Sequence, residues 1–157
     1  MSQPPLKLDG YLPYRLSVTA NGVSELIARA YRDRFDLSIP QWRLIAVLGE
    51  GGPLTPQDLC ARTVMDKVTV SRAAAALCQR HLAQRAPNAA DGRSHRLSLT
   101  AQGEALFAQI APLAQALEAR LLAAFTADDI QTIHHLLRRL GAVAAELIAK
   151  GQGAASE

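Results

Sequence analysis

Ser and Thr residues punctuate this chain just ahead of apolar-periodic runs, with an acid or amide three positions later, and this pattern fixes where helices begin. Ser38 with Gln41 opens one helix, Thr55 with Asp58 opens a second and puts Pro56 at its first helical position, and Thr126 with Asp129 opens a third. Thr100 is a further cap without a reciprocal partner. Ahead of Ser38, the residues Leu16, Ala20, Val23, Ile27 and Ala30 keep the i, i+4, i+7 rhythm of a long amphipathic helix over about 13–35. Gly51, Gly52 and Pro53 end the helix begun at Ser38.

The stretch DKVTVSR, residues 66–72, starts a helix poorly. Val68, Thr69 and Val70 are β-branched in succession, whereas Ala73 to Leu77 is strongly helix-favouring. A short helix from Thr55 to about Ala61, a turn at Thr63, Val64 and Met65, and a second helix capped by Asp66 make a helix-turn-helix. On a wheel of the second helix, Val70, Ala74, Leu77 and His81 share a core side. Val68, Arg72, Ala75, Ala76 and Gln79 share an outer side of mostly small residues. Residues 82–99 then read as a β-hairpin with a turn-rich tip at Pro87 to Gly92 and period-two alternation over Arg96 to Leu99. Two long helices follow, about Thr100–Phe125 and about Ala127–Lys150, and the tail GQGAASE reads as a frayed end.

This order predicts a mainly α fold: a winged helix-turn-helix with a small β-hairpin wing over 38–100, flanked by N- and C-terminal dimerisation helices over 11–37 and 101–150, all in one domain of 1–157. Leu113, Leu117 and Leu121, with the apolar side of the last helix, are more than one small domain can hide. A symmetric homodimer is the economical way to bury them.

The net charge of +3 is mild, but its distribution is not. Residues 51–100 carry seven basic side chains against three acidic ones, and the rest of the chain is slightly acidic. Charge alone leaves a polyanion footprint and a solvated basic surface equally open. No apolar stretch approaches the roughly 20 residues that span a bilayer, and the start MSQPPLKLDG does not look like an export signal, so a soluble cytoplasmic protein without membrane contact is expected. Cys60 and Cys78 make no disulfide framework and read as inert buried thiols, and adjacent His134 and His135 face different directions, so neither a metal nor a cofactor is expected. No nucleophile elbow, phosphate-cradling glycine loop or paired carboxylates point to an enzyme.

Three stretches resemble the MarR family of transcriptional regulators. They are YLPYRLSVTANGVSELIARAY with SIPQWRLIAVLGEGG at the front, LTPQDLCARTVMDKVTVSRAAAAL in the middle, and DGRSHRLSLTAQGEAL behind. The last resembles the family's wing as it enters the next helix. The resemblance spans about residues 11–125 and implies a dimeric repressor of double-stranded DNA with a pseudo-palindromic operator. Elementary chemistry agrees: a helix in the major groove needs short or polar side chains on its leading turn. Lys67, Val68, Thr69, Ser71 and Arg72 meet that need, with methyls for thymine and a guanidinium for guanine or phosphate. The resemblance further implies that Arg93 at the wing tip enters the minor groove, with Asp91 orienting an arginine and Ser94, His95 and Arg96 at phosphates or supporting the wing. Thr55 and Gln57 stand at a helix N-terminus that favours phosphate. The family's small aromatic or lipophilic carboxylate effectors would want an arginine and aromatic walls, types that Tyr11, Tyr14, Arg15 and Trp42 supply, although packing at the dimer base accounts for them as well. A winged-helix association module without specific DNA binding is the alternative.

Overall fold

The structure, a computed structural model, describes residues 6–88 and 91–154, the side chains of 91–94 and 152–154 excepted. It divides into two compact units, one ending at Leu117 and one starting at Glu118.

The first unit opens with a 3-10 turn, Leu8–Gly10, and helix α1, Leu12–Phe35. Helix α2 spans Ile39–Gly51, α3 Pro56–Thr63 and α4 Lys67–Gln79. The strands β1, Ala83–Asn88, and β2, Asp91–Leu99, pair antiparallel before α5, Ala101–Leu122. Both boxes that begin α2 and α3 form as their spacing predicts. The Ser38 amide donates to the Gln41 side chain at 2.8 Å, and the Asp58 amide donates to the Thr55 hydroxyl at 3.2 Å. Each box satisfies amides that the first helical turn leaves without carbonyl partners.

One core ties these elements together. Tyr31 of α1, Leu44, Ile45 and Leu48 of α2, Leu59 of α3, Val70 and Leu77 of α4, Leu97 and Leu99 of β2, and Ile110 of α5 are all buried in it. Each fully buried Leu or Ile contributes about 1.5–3 kcal/mol through apolar area removed from water. Trp42 of α2 lies between Tyr31 and Phe107, with ring centroids 5.5 and 6.2 Å away, and Phe107 sits where a side chain at Gly49 would stand.

The end of α4 differs from the wheel. Leu82 donates its amide to the Leu77 carbonyl at 2.9 Å and His81 to the Cys78 carbonyl at 3.0 Å, the pair of bonds that closes a helix on a left-handed residue. His81 is that residue, at φ 56°, and it is exposed rather than on the core side, where Leu82 takes its place. Ala73 joins the buried side, and Ala76 is half-buried instead of outward.

The hairpin is longer and its tip shorter than the composition of 87–92 predicts. Pro87 pairs with His95 and Asn88 with Asp91, with an irregularity between Pro87 and Asn88. Pro87 is tolerated because β1 is an edge strand, where a missing N–H on the outer side breaks no ladder. On its other side β2 bonds the chain ahead of α3, as Leu54 and Leu97 exchange amide-to-carbonyl bonds of 3.0 and 2.8 Å.

The junction of α4, wing and α5 is tight. Thr100 donates its amide to the Leu82 carbonyl at 3.1 Å and its hydroxyl to the His81 carbonyl at 2.6 Å, and it accepts from the Gly103 amide at 3.1 Å. A Cβ on Gly103 would run into the Leu82 carbonyl oxygen.

The second unit holds the end of α5 and helix α6, Ala127–Ala154, begun by the Thr126–Asp129 box with the Asp129 amide 3.2 Å from the Thr126 hydroxyl. Helix α5 stops at Leu122, short of Phe125, and the backbone of α6 is helical through Ala154, into the stretch that reads as a tail in sequence. Residues 155–157 lie outside the described residues. None of the described side chains of α6 is buried, and Leu136, Leu137, Val143, Leu147 and Ile148 are each more than half exposed.

Gly103→Ala is expected to destabilise the protein by about 2–3 kcal/mol, because a backbone carbonyl must move to admit the methyl. Gly22→Ala in α1, where a Cβ meets nothing within 4 Å, should instead stabilise by about 1 kcal/mol through helix propensity. Urea midpoints of the two variants check the opposite signs.

Candidate nucleic-acid interface

Helix α4 begins with an aspartate cap that fixes its poor leading turn. Asp66 accepts from the Thr69 amide at 2.8 Å and from the Thr69 hydroxyl at 2.6 Å. The hydroxyl is thereby engaged inside the protein. These hydrogen bonds from Thr69, side chain first and backbone second, hold the Asp66 carboxyl below its ordinary range. Val70, Ala73, Ala74 and Leu77 bury the inner side of the helix. The opposite side is left bare: Val68 is 59% exposed, and Lys67, Ser71, Arg72, Ala75 and Gln79 are exposed with it. Val68 thus reaches solvent on the same side as Arg72, one helical turn away.

Two other elements flank this face. At the start of α3 the Thr55 hydroxyl is committed to its box, donating to Asp58 at 2.7 Å, while Gln57 is exposed beside it. The Thr55 bonds lower the Asp58 carboxyl, with smaller help from Arg96 and Arg62. On β2, His95 and Arg96 are exposed where Leu97 and Leu99 turn inward. Asp91, Arg93 and Ser94 belong to β2 by backbone, but their side chains, and with them the expected minor-groove insertion and ion pair, lie outside the described residues.

Not every cation of the central third belongs to this face. Arg62 pairs with Glu50 at 2.9 Å, and Arg80 donates to the Asp36 and Phe35 carbonyls at 2.6 and 2.9 Å, capping the end of α1. Sequence reasoning counted both in the basic field and missed the structural task of Arg80, for which no local signal exists across 44 residues. Among the described residues no acidic side chain pairs with Lys67 or Arg72.

A cleft of about 190 Å³ runs between α3, α4 and the wing, with Leu59, Cys60, Val70 and Leu97 on its apolar side and Lys67, Arg85 and His95 also lining it. Cys60 and Cys78 are both half-buried. The four residues singled out for an effector do not share one environment. Trp42 is held in its aromatic stack, whereas Tyr11, Tyr14 and Arg15 are exposed at the start of α1. Among the described residues there is no group of three or more potential metal ligands, and no helix is long and apolar enough to cross a membrane.

Comparison with known proteins gives this arrangement a context. Residues 35–94 match the family model for the MarR family. A MarR family transcriptional regulator from Silicibacter pomeroyi DSS is 30% identical, with 85% of this chain and 88% of that one covered at a TM-score of 0.74. Bordetella bronchiseptica BpsR, whose DNA binding is regulated by 6-hydroxynicotinic acid, is 21% identical, with 88% and 98% covered at a TM-score of 0.78. Transcriptional regulator HosA of Escherichia coli is 26% identical over 113 residues, 72% of this chain and 84% of that protein.

The lowered carboxyls of Asp58 and Asp66 set the sign of an acid effect. A group whose folded pKa is depressed contributes stability that is present above the unfolded value and lost as pH falls through the folded value. Melting temperature is therefore expected to fall on acidification below about pH 4, the ordinary aspartate range. Asp66→Asn, which keeps a capping oxygen without the titration, should make that fall shallower.

Proposed function

The chain belongs to the MarR family of transcriptional regulators, and from that premise we propose that it is a homodimeric repressor that recognises a pseudo-palindromic operator through α4. The observation that carries this reading is the bare outer side of α4, with Val68, Ser71 and Arg72 exposed opposite a fully packed inner side. The leading turn of such a helix enters the major groove, where methyls meet thymine and a guanidinium forks onto guanine O6 and N7. The Thr69 hydroxyl is engaged by Asp66, so Thr69 would offer its methyl rather than its oxygen. Lys67, Gln57, Thr55 and Arg96 would serve phosphates around the groove. Thr55, whose hydroxyl is committed, would do so by its place at the helix end. Arg93 would reach the minor groove from the wing, with Asp91 and Ser94 beside it.

The exposed apolar residues of α6 support the dimer, since Leu136, Leu137, Val143 and Leu147 are costly to leave in water. Two-fold symmetry then requires half-sites centred about 34 Å apart, one turn of the duplex. An effector is the third part of the proposal. BpsR, regulated by 6-hydroxynicotinic acid, is a precedent for a small aromatic acid. In this chain, Arg15 with Tyr11 and Tyr14 at the start of α1, and Trp42 from α2, supply the types such an acid needs. The cationic cleft by Lys67, Arg85 and His95 offers a second place with that chemistry. Binding releases the operator if the ligand favours a dimer whose α4 helices no longer match successive grooves. The protein would act in the cytoplasm, where the operator is.

An operator selected from random duplexes provides the test. Arg72→Ala is expected to weaken operator binding about 10- to 100-fold and to relax preference at one position of each half-site. Lys67→Ala should weaken all duplexes alike and reduce the salt slope by about one. Arg93→Ala should also weaken binding with little sequence bias. Fluorescence anisotropy reads all three. Full operator affinity in both arginine variants would overturn these assignments and favour the association module.

A further inference from the structure

Val64 is the residue of the described chain whose conformation and surroundings are hardest to reconcile. It closes α3 with left-handed backbone, φ 53° and ψ 36°, and the residue is 90% exposed. Left-handed backbone costs an L-residue about 1–2 kcal/mol, and a β-branched side chain sits there worse than most. Packing returns nothing at that exposure. Glycine or asparagine would close the helix without the cost. Asp36 and His81 occupy the same region at φ 51° and 56°, but both are polar, and neither is an apolar side chain left in water.

Val64 stands just ahead of the helix assigned to the groove. Two residues after Val64 comes Asp66, the cap of α4, then exposed Lys67 and exposed Val68. Two bare valines therefore bracket a lysine at the leading end of the helix assigned to the groove. Strain kept at an exposed position is a mark of function when no contact inside the protein explains it. The partner must combine a polyanionic surface, to suit Lys67 and Arg72, with apolar groups projecting from it. The major groove does so at the thymine C5-methyl.

We propose that Val64 is a specificity-determining residue that packs, with Val68, on a thymine methyl at the edge of each half-site. This rests on the DNA-binding reading above and extends it to a residue outside α4. Because the contact is apolar, it adds sequence preference without adding phosphate affinity.

The test uses the full chain and the duplex selected from random-sequence DNA. Val64→Gly should raise the urea midpoint, lower operator affinity about tenfold, and leave affinity for an unrelated duplex unchanged. Val64→Asn, which tolerates left-handed backbone but lacks the methyls, should behave in the same way. Replacing operator thymines singly by uracil removes only the methyl. At one position in each half-site this should weaken the wild-type protein but not Val64→Gly. Unchanged operator affinity in both variants, or equal losses on operator and unrelated duplex, would overturn the proposal while leaving the DNA-binding reading intact. A wild-type protein that does not distinguish operator from unrelated DNA would overturn both.

Discussion

The carbonyl of Leu82 is the point on which the rest of the first unit is built. It accepts the Thr100 amide, and Gly103 lies close enough to it that no side chain fits between them. The same residue turns inward to replace His81 in the core and directly precedes the strand that leads into the wing. The end of α4, the base of the hairpin and the start of α5 therefore meet at one backbone group. On the other side Phe107 of α5 lies against Gly49 and stacks with Trp42, tying α5 to α2. Arg80 then closes the end of α1 over the end of α4. A helix proposed to read DNA must be held to within a fraction of a turn, and these contacts hold α4 by backbone and aromatic packing rather than by the residues on its bare side.

That division of labour explains the composition of α4. Its inner side is ordinary core, so its outer side is free of packing demands. Val68, Thr69 and Val70 cost helix propensity at the leading turn, Asp66 offsets part of that cost by capping, and the alanines behind restore the helix. Departures from local preference gather at the same end: the β-branched start and the left-handed Val64 just before it. Sequences that fold consistently elsewhere and break local rules at one edge usually do so where they bind.

Most of the fold was legible because its signals are local. Capping boxes at Ser38, Thr55 and Thr126 named three helix starts to the residue, since a cap and its partner are three positions apart. The alternation at Arg96 to Leu99 marked β2 because period two is visible in four residues. What failed was non-local. The wheel put His81 in the core because periodicity carries no notice of where a helix stops, and here two backbone bonds stop it. Arg80 read as part of a basic field because its partners are 44 and 45 residues away. The ring partners of Trp42 were hidden for the same reason, since they come from α1 and α5. At the interface, residue types at the front of α4 were legible, whereas the engagement of the Thr69 hydroxyl by Asp66 needed geometry.

The central claim is that the bare side of α4 makes this chain a sequence-specific reader of duplex DNA. Anisotropy of the purified protein on the DNA upstream of its own gene and on an unrelated duplex, titrated against salt, tests it most directly. The account predicts binding to the first at least about 10³-fold tighter at equal salt, with log affinity falling linearly against log salt for both duplexes. Equal affinity for the two at every salt concentration, on that DNA and on duplexes selected from random sequence, would contradict it.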